Sequence, residues 1–201
     1  MSSTNPKQIL HTLHLIRAGL ASGLLNKEEV IDWADRIITN DEDPNIFFID
    51  LAMSSLKSIN DILHYFNEYL DFENASVQGR PLLGLLYSRF KNGQFTLEQT
   101  VSKLFQLRFE AIFNEKEQGC IYSIENDFDC AKHGIYGSFE NVRVDLEKFL
   151  DFYRDYSIYN CDQWQYLDKE VEYKLELDYQ LQQKETEKFL PSYKPWWKFW
   201  Q

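Results

Sequence analysis

Residues 13–52 read LHLIRAGLASGLLNKEEVIDWADRIITNDEDPNIFFIDLA, and this stretch decides the fold. Leu13, Ile16 and Leu20, with Ile9 before them, recur at three- and four-residue intervals, the spacing that puts apolar side chains on one face of a helix. Gly23 can take the left-handed conformation that stops a helix, so the first helix is expected over residues 8–22. Asn26 can then accept from the backbone of the next helix while Glu29 reaches back to it, a capping box. Val30, Ala34, Ile37 and Ile38 form the apolar face of that second helix, and Glu28, Asp32, Asp35 and Arg36 face water. The run Thr39 to Pro44 is an acidic corner ending in a proline, which suits the start of a helix because its missing N–H is not needed there. A third helix over IFFIDLAMS follows.

Downstream, Ser58 and Asp61 signal the start of a fourth helix carrying Ile59, Ile62, Leu63, Phe66 and Leu70, and residues 74–81 break the pattern. From Leu83 the chain reads LGLLYSRFKNGQFTLEQTVSKLFQL. Offset by about 70 residues, Gly93 falls under Gly23, Phe95 under Leu25, Thr96 under Asn26 and Gln99 under Glu29. The same order of helix, glycine stop, apolar residue, cap and capping partner defines two similar helix-turn-helix units. They can be a duplication, or two efficiently capped hairpins that look alike.

Beyond Phe113 the signals weaken. A helix around residues 121–132 with loops on both sides is expected from Gly119, Gly134 and Gly137. Ser138 or Asn141 starts the next, with Val142, Leu146, Phe149, Leu150 and Tyr153 on its apolar face. Asp162 caps a long final helix through about Phe189, with Trp164, Leu167, Val171 and Leu175 in one stripe, and Pro191 and Pro195 close it. The expectation is an all-α bundle of seven or eight helices in a single domain over 1–201, divisible into paired hairpins (1–113), an acidic helical part (114–190) and an aromatic tail (191–201).

The function classes follow from charge. The chain carries 32 acidic and 21 basic residues, net −11, which argues against a nucleic-acid surface, since phosphate needs clustered Lys and Arg. Residues 1–109 hold 13 acidic and 10 basic side chains, residues 110–187 hold 19 and 8, and the last 14 hold three lysines and no acid. Acidity is therefore concentrated in the C-terminal helices. Such a surface either keeps the protein solvated or steers a basic partner. Asp151, Asp155, Tyr156, Tyr159, Asp162, Trp164, Asp168 and Glu172 are the candidate partner-binding residues, because aromatic anchors interleaved with carboxylates suit protein recognition. The tail adds Trp196, Trp197 and Trp200, with Phe199, Lys194 and Lys198. It can complete the core, fill a groove or rest on a membrane surface.

Catalytic and metal signatures are weak. His11 and His14 have no further ligand at metal spacing, and Cys130 with His133 has no third orienting group. Asp41, Glu42, Asp43 and Asp50 do not form a calcium loop. No glycine-rich phosphate loop, GxSxG or HExxH occurs, so no cofactor and no enzymatic activity are expected. Cys120, Cys130 and Cys161, an odd set without CxxC spacing, point to a reducing cytoplasm. No signal-peptide pattern and no 18-residue apolar run are present.

The segment GLLNKEEVIDWADRIITNDEDPNIFFIDLAMS also resembles the amino-terminal part of small uncharacterised all-helical bacterial proteins, some of them similar to immunity proteins of polymorphic-toxin loci. The resemblance covers about the first quarter of the chain and carries over no functional residue. It implies a non-enzymatic cytoplasmic protein that binds a basic toxin or regulatory target. The alternative expectation is an assembly role in which the tryptophan-rich tail docks to a membrane or another subunit.

Overall fold

A computed structural model describes residues 5–69 and 77–189, with only the backbone described over 182–189. Among the described residues the chain is an all-α bundle of nine α-helices: α1 (Leu10–Ala21), α2 (Lys27–Asn40), α3 (Ile46–Ala52), α4 (Ile59–Tyr69), α5 (Gly79–Lys91), α6 (Leu97–Glu110), α7 (Glu115–Lys132), α8 (Phe139–Asp151) and α9 (Trp164–Phe189). Seven or eight were expected. No described helix is long and apolar enough to cross a membrane.

Local chemistry sets the helix ends. Asn26 and Glu29 form the expected capping box on α2, and Thr96 and Gln99 form another on α6. Gly23 and Gly93 have φ of 74° and 71°, which places both in the left-handed region. At the first junction Leu25 N–H donates to the Gly19 carbonyl at 2.9 Å; at the second Phe95 N–H donates to that of Arg89 at 3.3 Å.

Several boundaries differ from the sequence reading. Helix α7 begins at Glu115, six residues before the expected start, because Asn114 and Glu117 make a third capping box. Gly119 lies inside α7, where its missing Cβ would meet nothing within 4 Å, so it marks open space and not a stop. Helix α5 begins at Gly79 and takes Pro81 into its first turn. Asn45 caps α3 with Pro44 directly before it, and a 3₁₀ turn, Met53–Leu56, succeeds that helix. Asp162 lies within a 3₁₀ turn, Cys161–Gln163, that leads into α9.

Packing follows the apolar faces. Helix α2 lies against α3, α1 against α4 and α5, α6 against both α5 and α7, and α8 against both α5 and α7. The core draws buried side chains from every helix, including Leu13, Trp33, Phe47, Phe66, Leu83, Leu104, Ile121, Leu146 and Val171. Polar ties join the two glycine junctions: Arg89 on α5 donates to the Leu24 carbonyl at 2.8 Å, pairs with Glu29 and donates to Gln94 Oε1 at 2.8 Å. An isolated parallel bridge between Gln78 and Ile112 fixes the start of α5 beside the end of α6.

Candidate functional site

The acidic C-terminal half contains two structural features, a buried ion cluster and an open groove. The cluster begins with Glu117, which occupies the third position of α7 because its carboxylate closes the capping box. Its Oε2 accepts from Asn114 N–H at 2.9 Å. Its Oε1 accepts from Arg80 Nε at 2.7 Å and from the Tyr153 hydroxyl at 3.1 Å. Glu117 is 1% exposed, so its charge needs these donors. Arg80 also donates through Nη1 to Asp168 Oδ1 at 3.2 Å, to the Asp168 carbonyl at 3.1 Å and to Glu172 Oε1 at 3.4 Å. The Tyr156 hydroxyl donates to Asp168 Oδ1 at 2.7 Å. One guanidinium thus links α5, α7 and α9 and carries with it the turn after α8.

Electrostatics in the cluster follow from burial and partners. Burial alone would lower the Arg80 pKa, but hydrogen bonding and charge from Glu117 and then Asp168 raise it. Burial is the main cause raising Tyr153, followed by Glu117; for Tyr156 burial again comes first, followed by Asp168. Tyr65, whose hydroxyl donates to Asp50 Oδ2 at 3.2 Å, is raised for the same two reasons. A phenol with a raised folded-state pKa contributes stability that is intact below its unfolded pKa of about 10 and is lost as pH rises toward the folded value. Stability is therefore expected to fall above about pH 10. Absorbance at 295 nm should show these tyrosines ionising together with loss of helical circular dichroism. Full ionisation of all the tyrosines near pH 10 with the helices intact would contradict this.

The groove lies between α7, α8 and α9 and encloses about 670 Å³. Lys116, Cys120, Ser123, Ile124 and Asp127 form one stripe of α7 along it, with Gly119 leaving the wall low. Its floor is apolar, from Ile124, Phe149, Phe152 and Leu175, and its rim carries Glu115, Asp127, Asp145 and Asp178. Two ion pairs cross it. Lys148 on α8 pairs with Asp178 on α9 at 2.6 Å, and Lys116 on α7 pairs with Glu176 on α9. Lys116 also lies 4.9 Å from the centre of the Tyr179 ring. Burial pushes the Cys120 thiol up, reinforced by Asp178 and Glu117, so it stays protonated and is a poor nucleophile at neutral pH. A second pocket, between His11, Leu15, Gln78, Pro81 and Trp164, measures about 10 Å³, room for about one water.

The residues singled out from sequence do not share one surface. Tyr156 and Trp164 are buried, at 4% and 6% exposure, and present no ring to a partner. Trp164 instead donates from its indole to the Ser157 carbonyl at 3.2 Å. Their spacing reflected the core. Asp168 is half-buried and Glu172 exposed, and both face Arg80. Asp151 accepts from the Tyr87 hydroxyl at 3.1 Å and, with the exposed Asp155, flanks Arg154. Tyr159 and Asp162 are exposed, and Arg36 from α2 covers the Tyr159 ring at 4.2 Å. Trp196, Trp197 and Trp200 lie outside the described residues.

Sequence reasoning missed the groove residues Gly119, Ile124, Asp127 and Asp145, and also Arg80 and Glu117. Only the Asn-x-x-Glu pattern at Asn114 could have exposed Glu117. Among the described residues no group of three His, Cys, Asp or Glu could hold a metal. The His133 ring meets the Asp129 carbonyl at 2.8 Å. No protein-family model, curated protein or solved structure matches this chain.

Proposed function

We propose that this is a non-enzymatic cytoplasmic binding protein, an immunity or regulatory factor whose acidic C-terminal helices hold a basic partner protein. The observation that carries the reading is the groove between α7, α8 and α9, with its apolar floor and carboxylate rim. An apolar trough about 670 Å³ in volume accepts a few large side chains. Carboxylates around it select a segment that brings Lys or Arg, and they speed its approach. A helix or strand of a basic toxin that places aromatic or aliphatic residues between cations has that chemistry. The helix-turn-helix units before α7 act as a scaffold in this reading. Their shared glycines and capping boxes suit an ancestral duplication whose copies no longer share surface residues.

Co-purification with the product of the neighbouring gene tests the proposal. The complex is expected to weaken at least tenfold between low and high salt, because rim charges are screened over about 10 Å at 0.1 M. Gly119→Trp should weaken it by a similar factor without unfolding the chain, since the position opens into the groove. A complex indifferent to Gly119→Trp would place the interface elsewhere, and the absence of any complex would remove the proposed partner.

A further inference from the structure

We infer that the groove between α7, α8 and α9 is occupied in the isolated protein by the chain's own C-terminal segment, residues 190–201, which a partner must displace. The inference rests on the reading of the groove as a docking site and adds the segment that occupies it before a partner binds.

Reach permits this. Tyr179 lines the groove, and α9 continues for ten residues to Phe189, about 15 Å at 1.5 Å per residue. The twelve residues that follow, LPSYKPWWKFWQ, span up to roughly 40 Å when extended. Prolines at 191 and 195 cannot continue a helix and favour a change of direction, so the segment can turn back past Tyr179 to Leu175. A segment tethered to one wall of its own site also has a high effective concentration, which gives a modest intrinsic affinity high occupancy.

Chemistry selects this occupant. The segment contains Trp196, Trp197, Phe199 and Trp200, whose rings suit the floor of Ile124, Phe149 and Leu175. Lys194 and Lys198 interrupt the rings with positive charge, and the segment has no acid. The rim opposite is acidic: Glu115 and Asp145 are exposed and Asp127 half-buried. Among the described residues no basic side chain forms an ion pair with Glu115, Asp127 or Asp145. The low wall at Gly119 gives a broad ring room that a leucine side chain would fill. The tail therefore combines, in cis, the apolar and cationic features that the groove requires of a partner.

Cys120, half-buried in the groove wall, reports its occupancy. The full-length chain and a full-length variant carrying Trp196→Ser, Trp197→Ser and Trp200→Ser are treated with a thiol reagent at one pH, and each cysteine is followed by peptide mass mapping. Cys130 and Cys161, which do not line the groove, serve as internal references. Cys120 is expected to react at least tenfold faster in the variant, with the references unchanged. Equal Cys120 rates would overturn the inference. Protection that grows with protein concentration would overturn it in favour of a second copy. Binding of the parent to anionic lipid vesicles, lost in the variant while Cys120 rates match, would assign the tail to a membrane surface.

Gly119→Leu gives an independent reading with the tail unaltered. Trp33 and Trp164 are buried, so fluorescence that acrylamide quenches readily reports the tail tryptophans. Quenching should be weak in the parent and at least threefold stronger in Gly119→Leu; no change overturns the proposal. Binding of a basic, tryptophan-containing probe peptide separates the two readings. If the triple variant binds the peptide but Cys120 rates are equal, only the tail is excluded; if Cys120 protection holds and no peptide binds, only the external partner is.

Discussion

Glu117→Ala is expected to lower folding stability by about 3–5 kcal/mol, the cost of leaving a buried charge without its partner. Three losses coincide at this residue. Arg80, with its side chain 12% exposed, loses the carboxylate 2.7 Å from its Nε. The buried Tyr153 hydroxyl loses its acceptor. The first turn of α7 loses half of its capping box, by itself worth about 1 kcal/mol. A domain of ordinary stability, about 5–15 kcal/mol, would lose a substantial share of it. Urea denaturation followed by circular dichroism measures this as a fall in the midpoint. Glu117→Gln should cost clearly less, because glutamine closes the equivalent box on α6 and can still accept from Arg80. Glu172→Gln, at an exposed carboxylate of the same guanidinium, should cost under about 1 kcal/mol. Equal losses for Glu117→Ala and Glu172→Gln would show that the cluster does not act through burial. The double variant Arg80→Met with Glu117→Met should recover much of the loss, since replacing both ions removes the uncompensated charge.

What the sequence made legible was local. Asn26 with Glu29, and Thr96 with Gln99, are capping pairs three residues apart, and backbone geometry at that range depends on few other atoms. The same Asn-x-x-Glu pattern at Asn114 was readable, but Gly119 within the helix disguised it. Glycine there serves an open wall rather than a chain reversal. Arg80 and Glu117 are 37 residues apart, and Arg80 and Asp168 are 88 apart, so no local pattern joins them. Tyr156 and Trp164 show how aromatic spacing misleads. Rings interleaved with carboxylates fit a docking face and a buried tyrosine donating to aspartate equally well. Only the position of α5 against the turn after α8 decides. The groove was invisible for the same reason, because it is space between three helices whose facing side chains lie far apart in sequence, as the Lys148–Asp178 and Lys116–Glu176 pairs across it do.

The close approach of α5 to that turn makes Gly84 the second sensitive position. A Cβ at Gly84 would lie 2.8 Å from the Tyr153 carbonyl oxygen, 2.8 Å from Tyr156 Cβ and 2.9 Å from the Tyr156 carbonyl oxygen. Two of these neighbours are backbone atoms, which cannot rotate away as a side-chain tip can. The backbone they belong to carries Tyr153 and Tyr156, whose hydroxyls donate to Glu117 and Asp168. Moving it therefore disturbs the ion cluster as well as the packing. Gly84→Ala is expected to cost about 1–3 kcal/mol net, because overpacking outweighs the gain of up to roughly 1 kcal/mol that alanine brings to a helix interior. Gly84→Val should reach about 3 kcal/mol, since a branched Cβ adds volume where there is none. The contrast with Gly119 isolates the cause: there the same exchange to alanine meets no atom within 4 Å, and only the helix-propensity gain of about 0.5–1 kcal/mol should remain. Thermal or urea denaturation of the two alanine variants should thus shift in opposite directions. A shift of the same sign in both would mean that helix propensity, and not the approach of α5 to the Tyr153–Tyr156 turn, governs these glycines.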